Sequence, residues 1–155
     1  MLTTKYLQQV LVELEEFSHL SNIENHIKSG DGYDAVTAIL ENIRSTDFPC
    51  VVIEDRSSGN FTIEAGPVDT FTIALWVMLQ QTREEEDDNS ELFRQAFELV
   101  KRIIKILIRD QVARPSDMGF LDISRIPYNK RFGGAKCLGY ELLLTFREEI
   151  DLSYE

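Results

Sequence analysis

Between residues 89 and 111, NSELFRQAFELVKRIIKILIRDQ, apolar side chains recur at Leu92, Phe93, Ala96, Phe97, Val100, Ile103, Ile104 and Leu107. This i, i+3, i+4, i+7 spacing predicts an amphipathic helix with one broad buried stripe. Glu91, Arg94, Gln95, Glu98, Lys101, Arg102, Lys105 and Arg109 fill the opposite side. Asn89 or Ser90 is suited to cap its start, and Asp87 and Asp88 put negative charge at the positive end of the helix dipole. Such a helix, roughly 34 Å long at about 1.5 Å per residue, needs a long surface to lie on. The runs TFTIALWVMLQ before it and CLGYELLLTFR after it can supply one.

The rest of the chain divides by the same test. Residues 4–20 place Tyr6, Leu7, Val10, Leu11, Leu14 and Phe17 on one helical stripe, and a second helical stretch is expected through Ile23 and Ile27. The glycines of SGDGYD end it, and Asp31 or Asp34 is placed to cap a short helix over AVTAILENI. CVVIED and FTIEA flank Arg-Ser-Ser-Gly-Asn, which predicts a β-hairpin of residues 50–55 and 61–65. Residues 70–80 are apolar on both faces, with Phe71, Ile73, Leu75, Val77 and Leu79 on one and Ala74, Trp76 and Met78 on the other. Such a strand is central, or has its second face covered by a helix or another subunit. Residues 119–128 suggest a short strand, and 137–147 alternate as a half-buried antiparallel strand.

These elements predict one α+β domain over residues 1–155, with a mainly antiparallel sheet of about four to five strands packed against the long amphipathic helix. Its parts are a helical N-terminal region (1–47), strands and hairpin (48–80), the long helix (89–111), C-terminal strands (119–147) and an acidic tail (148–155). On this expectation Phe93, Phe97, Val100, Ile104 and Leu107 are buried. Phe97→Ala then costs about 3–5 kcal/mol if the ring is fully enclosed.

Composition narrows the function classes. A 43% hydrophobic share is that of an ordinary globular protein, and 155 residues can enclose a core. The formal charge of −11 argues against direct nucleic-acid binding, because phosphates repel such a surface. The N-terminus has acids inside its apolar part and no basic leader, so it does not read as a signal peptide. No apolar run is long enough to span a membrane. Cys50 and Cys137 lie in apolar runs and read as buried, reduced thiols of a cytoplasmic protein.

Catalytic motifs are missing where they would be sought. His19 and His26 lie seven residues apart, about 10.5 Å along a helix, too far to share a metal; both read as surface or capping residues. FGGAK lacks the spacing of a phosphate-binding loop, and Ser57 and Ser58 have no nucleophile elbow. Glu54 and Asp55 read as turn acids. No catalytic residue, metal ligand or cofactor is therefore expected, and the chain reads as a non-enzyme. A small metal-dependent hydrolase or nuclease, with carboxylates as ligands, is the minor enzymatic alternative.

Two charge clusters remain. Residues 83–91 carry six acids and one base, net −5, including Glu84, Glu85 and Glu86. Residues 125–136 carry four bases, Arg125, Lys130, Arg131 and Lys136, and no acid. Within the second cluster Asn129 to Lys136, with Gly133 and Gly134, reads as a loop mobile in an isolated subunit and ordered at an interface, with almost no apolar side chain beyond Phe132 to anchor it. With Trp76 on the second face of its strand, these residues form the candidate interface. Reversing Lys130 and Arg131 to Glu is then expected to weaken self-assembly at low salt without changing monomer stability.

The order of elements adds a resemblance. A strand begins near Phe48-Pro49, then come a hairpin, TFTIALWVMLQQ, a long amphipathic helix and a closing G-x-E-x-x-x-x-F strand in GYELLLTFREEID. Over about residues 35–152 this order resembles the tail-terminator and tail-completion (minor tail) proteins of tailed bacteriophages. The resemblance lies in pattern and not in signature residues. It implies a structural, non-enzymatic protein that closes into a ring, commonly a hexamer, at the end of a tail tube, in a phage or phage-like particle (prophages included). Its partners would then be copies of itself and other tail or particle proteins. It would be cytoplasmic during virion assembly and afterwards part of the particle. An acidic inhibitor or immunity-type module occupying a basic partner is the competing binding reading, and acids gathered on one face would mark it.

Overall fold

The computed structural model describes residues 2–20, 22–63, 66–81, 89–113, 120–133 and 137–150. In chain order the elements are α1 (Leu2–Val12), α2 (Glu15–Ser18), α3 (Ile23–His26), β1 (Ile27–Gly30), α4 (Tyr33–Glu41), a single 3-10 turn (Ser45–Asp47), β2 (Cys50–Thr62), β3 (Val68–Gln80), α5 (Asn89–Ala113), β4 (Phe120–Leu121), β5 (Tyr128–Gly133) and β6 (Cys137–Glu149). The fold is α+β, with a mixed, mostly antiparallel six-stranded sheet ordered β1-β2-β3-β6-β4. β5 pairs with β6 beside β4, and β1 alone runs parallel to its neighbour.

The sheet separates two cores. On one face α1 and α5 cover Val51 and Ile53, Phe71 to Val77 on the odd positions of β3, and Leu138 to Phe146 on the even positions of β6. On the other, α4 lays Val36 and Leu40 over Cys50, Val52, Ala74, Trp76, Met78 and Cys137. The second face of β3 is thus closed by a helix of the same chain. Trp76 is 1% exposed and is no surface residue, which corrects its place in the expected interface.

Helix α5 spans 25 residues and turns Phe93, Ala96, Leu99, Val100, Ile103 and Leu107 into the first core. Phe97 and Ile104 are only half-buried, because the stripe is centred on Ala96, Leu99, Val100 and Ile103. The cost of Phe97→Ala is therefore revised to about 1–3 kcal/mol, from partial burial and lost ring contacts. A denaturant melt read by circular dichroism measures it. Tyr6 Oη donates to Asp110 Oδ2 at 2.7 Å and Arg109 bonds Glu13 Oε2 at 2.8 Å, pinning α1 to the end of α5.

Several sequence expectations change. The hairpin at the Gly-Asn dipeptide is not formed: residues 50–62 make one strand, and Gly59 and Asn60 pair with Phe71 and Thr70. A Cβ at Gly59 would sit 2.8 Å from Thr70 O, so this glycine serves close strand approach and not a turn. β2 changes register between Glu54 and Ser58, and the chain reverses after Ile63, near Gly66 with φ +102°. The predicted first helix is split into α1 and α2. The helical stretch through Ile27 ends at His26, and residues 27–30 become β1. Gly32, at φ +89°, is the N-cap of α4, so neither Asp31 nor Asp34 holds that position. His26 is buried and bonds Pro49 O through Nδ1 at 3.0 Å; His19 is exposed.

The terminal strand is half-buried only beyond Leu142, where burial alternates. From Cys137 to Leu142 β6 is buried on both faces, and a Cβ at Gly139 would collide with the Val77 carbonyl. The expected basic loop is strand as far as Gly133, since residues 128–133 form β5, and its remainder, 134–136, lies outside the described residues. The expected acidic tail falls mostly outside the described residues. No helix among the described residues is long and apolar enough to cross a membrane.

Candidate functional site

Strand β5 brings the predicted interface residues together and splits them between two faces. It lies on the edge of β6, and no described strand pairs with its outer side. Its pleat sends Tyr128, Lys130 and Phe132 to the α5 face, opposite Leu142, Tyr140 and Leu138 of β6. Asn129, Arg131 and Gly133 go to the α4 face.

On the α5 face five rings meet. Phe93 contacts Phe132 and Tyr140 at centroid separations of 5.5 and 5.7 Å. Phe97 contacts Tyr128 and Tyr140, both at 5.3 Å, and Tyr128 closes on Tyr140 at 5.7 Å. All five pairs are edge-to-face, the arrangement the ring quadrupoles favour. Lys130 Nζ sits 4.7 Å from the Phe93 centroid, a cation–π contact. A shallow groove of about 380 Å³ runs between these rings and α5, with Arg94 at its rim. Tyr128 and Phe132 remain 53% and 56% exposed. Burial, then the neighbouring Tyr128, raises the pKa of the Tyr140 phenol.

The α4 face carries a buried polar row across four strands: Glu54 on β2, Trp76 on β3, Glu141 on β6 and Arg131 on β5. Glu54 and Glu141 are each 6% exposed. Arg131 Nη2 donates to Glu141 Oε1 at 3.0 Å, and its guanidinium carbon lies 5.6 Å from the Trp76 ring centroid. Tyr33 of α4 packs on the same indole at 5.8 Å. Burial raises the pKa of Glu54; the nearby Trp76 indole N–H lowers it, Glu141 raises it again and Arg131 offsets part of the rise. That N–H faces the carboxyl without reaching hydrogen-bond geometry: Trp76 Nε1 and Arg131 Nε are buried without a partner. Arg131 is thus bound into the subunit. Reversing its charge would strike the buried row, so the expectation of unchanged monomer stability holds for Lys130 alone.

Arg125 is exposed between β4 and β5. Glu84, Glu85, Glu86 and Lys136 lie outside the described residues. Acids of the turn after α1, of α2 and of α5 are instead met by bases of α5: Glu13 with Arg109 at 2.8 Å, Glu16 with Arg102, Glu91 with Arg94 at 2.5 Å and Glu98 with Lys101 at 2.7 Å. The Arg94 hydrogen bonds hold the exposed Glu91 carboxyl at about 2. Burial pushes the Cys50 thiol up to about 12, so it is a packing residue with no thiolate character near neutral pH. Among the described residues no three His, Cys, Asp or Glu side chains gather into a cation site.

Sequence reasoning missed Tyr128, Tyr140, Glu54 and Glu141. Alternation through YNKRFG was the available signal for Tyr128, obscured by the following glycines, and alternation along residues 137–147 was the signal for Tyr140. Glu141 breaks the apolar run of β6, and an acid at a central-strand position signals a buried partner. Searches against protein-family models and against curated proteins give no match to this chain.

Proposed function

We propose that this protein is a non-enzymatic structural component that acts by head-to-tail self-assembly, in the manner of the phage tail-terminator and tail-completion proteins it resembles. The observation that carries the reading is the outer edge of β5. A strand tied to β6 by the part-buried Arg131–Glu141 ion pair presents Lys130 and two half-exposed rings on the rim of a chain with charge −11. Open edges of this kind recruit other chains unless they are covered. A cation-bearing, aromatic edge attracts another copy of the same chain, whose net charge is opposite to that of Lys130.

The competing inhibitor-type reading calls for acids gathered on one face around exposed aromatics. Of the described helical acids, Glu16, Glu91, Glu98 and Asp110 are instead paired with α5 bases, and two of the exposed aromatics, Tyr128 and Phe132, sit on the strand that carries Lys130. That distribution supports assembly over capture of a basic partner. Size exclusion with light scattering tests the reading: discrete oligomers are expected, shifting toward monomer in Lys130→Glu at low salt with an unchanged melting temperature. A strict monomer at every concentration overturns it.

A further inference from the structure

The sheet has a second exposed edge on the side opposite β5. β1 covers β2 only from Val51 to Glu54, and no described strand pairs with the outer side of residues 58–62. All of these residues are exposed, with Phe61 at 69% and Ile63 just beyond at 66%. Of the eight large apolar side chains most exposed among the described residues, four are Phe61, Ile63, Tyr128 and Phe132. The two edges therefore hold half of the apolar surface that a partner could cover.

Resting on the assembly reading above, we infer that β5 of one copy pairs antiparallel with residues 58–62 of β2 in the next copy, extending one sheet across subunits. Strand direction permits this without inverting either copy. β2 and β6 run one way and β3 and β5 the other, so a neighbour set alongside in the same orientation presents its β5 antiparallel to β2. The faces also agree. Gly59 and Phe61 are level with Phe71 and Asp69 and share the α5 face with Tyr128, Lys130 and Phe132.

The register that uses all of β5 sets Phe61 opposite Lys130, Gly59 opposite Phe132 and Thr62 opposite Asn129. It places a cation on an aromatic face and an aromatic over a glycine, both favourable cross-strand pairs. Because different surfaces meet, the contact is heterologous and propagates into a ring or an open helix. Asn60 is level with Arg147 of β6, by way of Thr70, whereas Arg131 is level with Gly139. The eight-residue offset, about 26 Å at roughly 3.3 Å per residue, becomes strand tilt in a closed ring.

Paired cysteines test the contact in the full chain. Thr62→Cys combined with Asn129→Cys places one thiol on each edge, while the native Cys50 and Cys137 are buried. Mild oxidation is expected to give a ladder of covalent multimers on non-reducing gels, with neither single variant giving more than a trace. Mixing the two singles should give dimers only. The pair Asn60→Cys with Asn129→Cys is two residues out of register and should not ladder. Oligomers by light scattering with no ladder overturn the strand pairing but leave the assembly reading standing, whereas monomers throughout overturn both. Equal ladders from both pairs, or dimers from a single variant, also overturn the inferred contact.

Discussion

Trp76→Ala is expected to cost about 3–5 kcal/mol, the range for deleting a fully buried large aromatic. The indole is the largest enclosed side chain and joins every part of the second core: Val36 and Leu40 of α4, Tyr33 above, and Arg131 at the side. Its removal opens a cavity that α4, only nine residues long, cannot fill without leaving β1 and β2. Trp76→Phe should lose much less, because most of the volume stays and the removed N–H has no hydrogen-bond partner. Urea titrations followed by circular dichroism give both values; Trp76 is the sole tryptophan, so fluorescence reports only on the parent. Equal losses in the two variants would show that the indole does not anchor the helix through packing.

The same residue marks what the sequence made legible. The two-sided apolar pattern of residues 70–80 required a cover on each face, and both covers exist in the chain. Period alone also located α5, since a stripe of eight apolar residues leaves no competing arrangement. It did not locate its centre: Phe97 and Phe93 are chemically equal in sequence, and Phe97 is half-buried because the stripe is centred on Ala96, Leu99, Val100 and Ile103. The hairpin at Gly59-Asn60 failed because a glycine that permits a turn also permits close strand approach, and the 13-residue β3 pairs with β2 on both sides of its register shift.

β5 was hidden for a related reason. YNKRFGGAK has the composition of a solvated loop, yet Tyr128, Lys130 and Phe132 each meet a ring or an apolar side chain of α5 or β6. Its other face carries Arg131, whose partner Glu141 is ten residues away across the strand pair. Local composition could not reveal that pairing, because burial of Glu141 is decided by α4 and β3. The edge that serves as the candidate interface is therefore set by a tertiary ion pair and not by its own propensity.

That dependence gives the second large prediction. Arg131→Met keeps an unbranched side chain over Trp76 and removes the guanidinium, leaving Glu141 buried without its partner. Breaking a fully buried pair this way costs about 3–5 kcal/mol; with the Arg131 side chain 38% exposed, about 2–3 kcal/mol is expected at neutral pH. The loss should depend on pH. Glu54 already has a raised pKa in the folded state, so it binds a proton more readily there than in the unfolded chain. Its contribution to stability therefore falls as pH rises from the unfolded toward the folded value. Removing Arg131 takes away a group that offsets this rise, steepening the fall. The difference between parent and variant should be largest near neutrality and shrink in mildly acidic buffer, where Glu54, with its raised pKa, takes up a proton and no longer gains from the Arg131 charge. Adding Glu141→Gln to Arg131→Met should recover much of the loss at neutral pH, since the orphaned charge is gone. Thermal melts of the three proteins from pH 7 down to about 4.5 measure the effect. A loss that is the same at every pH and is not relieved by the second substitution would mean that Arg131 acts through packing on Trp76 and not through its charge.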